Sequence, residues 1–313
     1  MIQNFTSTCI DNIEVRNFRC FTHLKIDFHE RLTVLVAPNG GGKTAVLDLL
    51  ATALRPFVDT MLTKSASRGF SHSDVRMVLS TEKTMEPVLP ISFTAHGLFF
   101  KQVVSWRLER QSSSKNAKVN MKPASDLQTA GRVLTKEFTK SLENQPSILP
   151  SPTFPLLGYY GTGRLWWEHR FPKLKGGSNS GSRRTGYEGC LTSASRYRYF
   201  VDWFERFSRE AQKERTSQEP SMPKPLEKLH AIESAVNRAL EPSGWKNLEW
   251  DFAHDVISAQ HPKFGRMPVD SLSDGIRNVI GLVADIAHRA VRLNPQFGAE
   301  AAKKTPGIVL IDE

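Results

Sequence analysis

Residues 32–54 constrain the fold more than any other stretch of this chain. Leu32-Thr33-Val34-Leu35-Val36 is an apolar run, which predicts a buried strand. Ala37-Pro38-Asn39-Gly40-Gly41-Gly42-Lys43-Thr44 follows it. Ala45 to Leu54 is then a run of good helix formers, which Pro56 is expected to stop. Strand, glycine-rich turn and helix in that order is the setting of a phosphate-binding loop.

The chemistry follows from the residue types. Glycines let successive backbone N–H groups curl around phosphate oxygens, and the helix N-terminus adds unpaired N–H groups and its positive dipole end. Lys43 is placed to reach the β- and γ-phosphates of a nucleotide, and the Thr44 hydroxyl to ligate Mg²⁺. Asn39, Gly40, Gly41, Gly42 and Ala45 complete the candidate cradle. Ala37 stands where the first glycine of such loops is usual. The plainer alternative is a glycine-rich connection with a surface lysine.

The sequence of 313 residues has room for one large or two modest domains. Its net charge of +10 suits an anionic partner such as nucleic acid, or simply a basic surface. Residues 101–140 carry nine Lys and Arg against three Asp and Glu, and residues 164–215 carry 12 against 6. Cys9, Cys20 and Cys190 are scattered, which speaks against a disulfide framework or a cysteine-based zinc site and suits the cytosol. Met1 to Cys9 is polar, unlike a signal peptide, and no apolar run reaches the ~18–20 residues of a membrane span.

Along the chain, Asp11–Val15 and Leu24–Phe28 are expected as strands joined around Asn17-Phe18-Arg19-Cys20-Phe21. A further strand is expected from Asp74. Val88–Ala95 and Val103–Leu108 read as an antiparallel pair turned at Ala95-His96-Gly97. Pro155 to Gly163 reads as a strand entering a glycine turn that bears Arg164, and Lys173 to Tyr187 as a loop. Helices are expected over Arg196–Arg215, Leu226–Leu240 and Asp274–Leu293, with a strand pair over Trp245–Ile257. The domain division expected is 1–110, 111–240 and 241–313: an N-terminal lobe, a basic helical insertion and a C-terminal lobe.

Two more motifs complete the candidate site. Gly307-Ile308-Val309-Leu310-Ile311-Asp312-Glu313 reads as a buried parallel strand presenting carboxylates at its end. Asp312 would hold Mg²⁺, and Glu313 would take a proton from water attacking the γ-phosphate. Ser271-Leu272-Ser273-Asp274-Gly275-Ile276-Arg277 stands at the start of the last long helix. Ser273 is there either a plain N-cap or, with Asp274 and Gly275, a γ-phosphate-binding helix end.

These three motifs, in this order, resemble the ATP-binding cassette head of the SMC, RecF and overcoming-lysogenisation class of ATPases. The resemblance implies an α/β P-loop NTPase fold: an ABC/SMC-type head with a mixed central sheet, an antiparallel β lobe and a helical insertion. In that class the signature motif of one copy, here Ser273, Asp274 and Gly275, completes the ATP site of another, so that ATP pairs two heads. The class also places an Arg of its N-terminal hairpin near the nucleotide, here Arg19. Its Q-loop Gln has no assignable counterpart near Asp74 or Arg76. The class continues beyond the position of Glu313, so a longer protein is expected.

Tyr159-Tyr160-Gly161-Thr162-Gly163-Arg164-Leu165-Trp166, Trp203-Phe204 and Leu272-Ser273-Asp274-Gly275-Ile276-Arg277-Asn278 are similar to PtuA-type ATPases. Those belong to Septu and retron-linked anti-phage defence systems. That resemblance implies a cytoplasmic, homo-oligomeric, slowly hydrolysing ATPase using ATP and Mg²⁺. Its implied partner is an HNH nuclease of PtuB type, and a nucleic acid or a retron reverse transcriptase–msDNA complex could join it. The alternatives are a RecF- or SMC-like DNA-repair ATPase that binds DNA directly, and a nucleotide-bound scaffold with little turnover.

Overall fold

The computed structural model describes residues 8–62, 69–100, 102–114, 125–143, 151–161, 182–192, 197–216 and 225–312. Arg164, Trp166 and Glu313 lie outside the described residues. The chain divides into two compact units. The first comprises residues up to Tyr159 together with Pro306–Asp312, and the second runs from Tyr160 to Thr305.

In the first unit, β1 (Cys9–Phe18) and β2 (Phe21–Asp27) form a tight antiparallel hairpin, as the alternation of Ile13, Val15 and Phe18 requires. These three side chains point into the core and are almost wholly buried. β5 (Ile91–Phe99) and β6 (Gln102–Arg110) extend the hairpin into one sheet of order β2-β1-β5-β6, every neighbour antiparallel. The expected turn at Ala95-His96-Gly97 is corrected: these residues lie inside β5. Gly97 is there for close approach, since a Cβ would sit 2.3 Å from the Cys9 carbonyl oxygen. β3 (Arg76–Leu79) and β4 (Met85–Val88) form a separate ribbon.

Helix α1 (Lys43–Leu62) begins inside the glycine loop and runs through Pro56, which was expected to end it. An interior proline costs about 3 kcal/mol or more. Phe57 and Met61 beyond it are fully buried, each contributing roughly 1.5–3 kcal/mol, so continuing the helix is the better solution. The Trp106 indole N–H donates to the Ala53 carbonyl at 3.1 Å and ties α1 to the sheet. Phe57 packs tilted on Phe99 and Phe99 meets Trp106 edge to face, with centroids 5.5 and 5.8 Å apart. Helix α2 (Ser125–Glu143) packs on α1 where Gly131 leaves room for Thr60.

β7 (Leu156–Tyr160) and β11 (Gly307–Ile311) make a two-stranded pair, joined at its start by the Leu156 N–H donating to the Pro306 carbonyl at 2.7 Å. Two expectations are corrected here. Residues 32–36 form no strand, and Leu32, Val34 and Val36 are 73%, 68% and 90% exposed. β11 is only partly covered, with Val309 and Ile311 facing solvent. Apolar alternation makes a buried strand only where a neighbour offers hydrogen bonds and a covering layer. Among the described residues none pairs with 32–36, and β7 alone pairs with β11.

The second unit packs three helices on a three-stranded antiparallel sheet. α3 (Tyr197–Thr216), α4 (Pro225–Leu240) and α5 (Asp274–Leu293) fall where periodicity expects them. β8 (Lys246–Asp251), β9 (Val256–His261) and β10 (Gly265–Pro268) form the sheet. Phe200, Phe204, Ile232, Val236, Leu248 and Ile280 fill the core, so the aromatic residues of α3 are packing groups. One polar cluster is buried with them. The Tyr160 hydroxyl donates to Asp285 at 2.8 Å, and the Arg289 guanidinium donates to Asp285 and to the Gly186 carbonyl, both at 2.7 Å. Burial alone would raise the Asp285 carboxyl, but the Arg289 charge wins and holds it below the usual range. The basic side chains of α3 are partly spent within the unit, Arg209 reaching both Glu205 and Asp255. No helix among the described residues is long and apolar enough to cross a membrane.

Candidate nucleotide-binding site

The loop between residues 37 and 44 has the shape its glycines imply. Gly40 and Gly42 both take positive φ, +79° and +89°, a conformation side-chain-bearing residues rarely adopt. The Gly41 N–H donates to the Pro38 carbonyl at 3.0 Å, and the Val46 N–H to the Gly42 carbonyl at 3.0 Å as α1 begins. The Lys43 ammonium lies over the loop, donating to the Ala37 carbonyl at 2.8 Å and the Pro38 carbonyl at 3.3 Å. Ala37, the residue that departs from the usual glycine, thus contributes through its backbone oxygen. Asn39, Gly40, Gly41 and Thr44 are exposed, whereas Ala45 is buried and faces the core.

Thr44 and Asp312 meet. The Thr44 hydroxyl donates to Asp312 Oδ2 at 2.7 Å, across 268 positions of sequence. Asp312 is buried at the end of β11, and Thr44 is the second residue of α1. A hydroxyl and a carboxylate converging beside a phosphate loop form the hard-oxygen donor set that suits Mg²⁺.

Three residues to which the motifs assigned no role, Asp48, Asp74 and Tyr159, join the site. Asp48 lies one turn after Thr44, on the same face of α1. Its Oδ1 accepts from the Tyr159 hydroxyl at 2.7 Å and its Oδ2 from Arg19 Nη1 at 2.7 Å. Asp74 receives Arg19 Nε at 2.9 Å. Burial, reinforced by Asp48 and Asp312, pushes the Tyr159 phenol far above its ordinary range, so it remains a hydrogen-bond donor. The i,i+4 spacing from Thr44 was the one sequence signal for Asp48. Tyr159 stands in the stretch that resembles PtuA-type ATPases, but its pairing with Asp48 had no signal, because the two lie 111 positions apart.

Ser273, Asp274 and Gly275 belong to the second unit. Ser273 takes the N-cap position of α5, but its hydroxyl makes no capping hydrogen bond. All three are exposed, Asp274 pairs with Arg277, and a Cβ on Gly275 would meet nothing within 4 Å.

The chain is similar to several known proteins. The probable ATPase of retron Vc95 from Vibrio cholerae serotype O1 biovar El Tor is 22% identical over 347 positions, covering 96% of this chain and 63% of that protein. The DNA double-strand break repair Rad50 ATPase of Methanopyrus kandleri is 43% identical over 47 residues, 15% of this chain and 5% of that protein. The chain therefore spans less than two thirds of either relative. The solved structure of the recombination mediator protein RecF with ATP aligns at 11% identity and a TM-score of 0.43, covering 98% of this chain and 86% of that one. The AAA domain family matches residues 12–241, which include the glycine loop, Arg19, Asp48 and Tyr159. A match that spans more than half of the sequence shows that this chain belongs to the AAA domain family.

Proposed function

We propose that this chain is an ATP-driven switch of PtuA type that acts in defence against phage and governs an HNH nuclease partner. The observation that carries the nucleotide reading is the 2.7 Å contact of Thr44 with Asp312 beside Lys43 and the glycine loop. Residues 39–45 would cradle the triphosphate, with Lys43 as the cation on the β- and γ-phosphates. Thr44 and Asp312 would hold Mg²⁺, which when bound offsets phosphate charge. Glu313 would act as the general base for slow hydrolysis. The exposed Ser273, with its hydroxyl unspent in capping, and the open Gly275 suit contact with the γ-phosphate on a second copy. The name of the retron Vc95 relative supports the defence setting.

A second reading is a DNA-repair ATPase that binds DNA directly, favoured by the local identity to Rad50. Purification from the native host separates the two: a co-eluting nuclease subunit supports the defence switch, and DNA alone supports repair. The nucleotide reading itself is tested with Lys43→Ala. Calorimetry should find MgATP binding abolished, and unchanged affinity would sink the assignment.

A further inference from the structure

Arg19 sits in the turn between β1 and β2, with φ +47°, while Asn17, two residues earlier near the end of β1, has φ +56°. Two left-handed non-glycine residues so close together need support from outside the turn. The Arg19 N–H donates to the Asp74 carbonyl at 2.9 Å. Its guanidinium then spends all three nitrogens on carboxylates: Nε and Nη2 on Asp74 Oδ1 at 2.9 and 2.8 Å, and Nη1 on Asp48 Oδ2 at 2.7 Å. The carboxylates are themselves held. Asp74 Oδ2 accepts from the Ser71 N–H and hydroxyl, both at 2.8 Å, and Asp48 Oδ1 accepts from Tyr159. Arg76 closes the other side by donating to the Cys20 carbonyl at 2.9 Å.

The turn in turn shapes the phosphate loop. A Cβ on Gly42 would lie 2.5 Å from Phe21 Cζ and 2.9 Å from Cys20 Sγ, so the loop rests directly on these two side chains. Asp48 and Asp74 between them take up every nitrogen of the Arg19 guanidinium, so its charge is already matched. Such a cluster does not attract a triphosphate; what it does is immobilise the wall behind Gly42.

We propose that Arg19 is a positioning residue of the nucleotide site. Clasped by Asp48 and Asp74, with Tyr159 locking Asp48, it fixes the Cys20–Phe21 wall that shapes Gly42, and it is not a ligand of the phosphates. This rests on the nucleotide reading above and departs from the role that resemblance to SMC-type heads assigns to Arg19.

The first test needs no nucleotide. Cys20 is exposed in the wall, and its alkylation by a maleimide should quicken several-fold in Arg19→Gln and in Asp48→Asn, with Tyr159→Phe intermediate. Peptide mapping separates it from Cys9 and Cys190. Equal Cys20 rates in all four proteins would overturn the brace. The second test is a double-mutant cycle on MgATP affinity. Arg19→Gln and Asp48→Asn should each weaken binding about tenfold, and the double variant should be no weaker than the worse single. If Arg19 is instead a phosphate ligand, Asp48→Asn will keep or improve affinity while Arg19→Gln loses it, and the proposal fails. A wild-type chain that binds no MgATP would refute the nucleotide reading, while Cys20 reactivity would still decide the brace.

Discussion

Thr44 Oγ1 donates to Asp312 Oδ2 at 2.7 Å, so the first turn of α1 and the end of β11 bring two side-chain oxygens to one point. Thr44→Val keeps the shape and removes the hydroxyl. Asp312→Asn keeps the shape and removes the charge. Loss of one charge-assisted contact is worth roughly 1.5–3 kcal/mol, or ten- to hundredfold. We expect each variant to bind ATP with its Mg²⁺ dependence weakened by that factor, measured by calorimetry with and without the metal. Undiminished dependence in both would place the metal elsewhere.

Ser273→Arg puts a bulky cation at the exposed N-terminus of α5, against the helix dipole. ATP binding by the single chain should stand, while ATP-dependent pairing should disappear in light scattering. Normal pairing of this variant would return Ser273 to a backbone N-cap.

Glu313→Gln retains size and hydrogen bonding but cannot accept a proton at neutral pH. Removing a general base costs about 10²–10⁴ in rate, so turnover should fall by that range with ATP affinity unchanged. The result should be an ATP-loaded, paired state. Wild-type turnover would mean that the base lies elsewhere.

His288 is expected to give the chain a pH dependence of stability. Its Nε2 is sealed from solvent with no hydrogen-bond partner among the described residues, and its ring packs on Trp203 at 4.3 Å. Burial lowers its pKa from 6.5 to about 3, outweighing the pull of Asp285. The unfolded chain therefore takes up a proton near pH 6.5 that the folded chain refuses until about pH 3. Stability should fall as pH drops through that window, by up to about 1.4 kcal/mol per unit. His288→Phe keeps a ring against Trp203 and should flatten the slope of urea midpoints between pH 5 and 6.5. An unchanged slope would assign it to other groups.

Local pattern carried well where the code is short-range. The 3.6-residue period of Ile276, Val279, Ile280, Val283 and Ala287 marks α5 to its observed ends. The glycine loop follows because Gly40 and Gly42 need positive φ. Expectations failed where a distant neighbour decides. Pro56 does not stop α1 because Phe57 and Met61 are drawn into the core. Gly97 is not a turn because it faces the backbone of Cys9.

By itself, then, the sequence determined the order of the glycine loop, the Ser273 helix start and the acidic strand end, and residues 12–241 carry the match to the AAA domain family. These three motifs are encoded within a few residues by turn chemistry, periodicity and propensity. Only the tertiary structure decided that Asp48, Asp74 and Tyr159 surround Arg19, that Asp312 reaches Thr44, and that 32–36 lies exposed without a strand partner among the described residues. Contacts between residues 29 to 268 positions apart depend on which edges and faces the folded chain leaves free, and no local pattern carries that information.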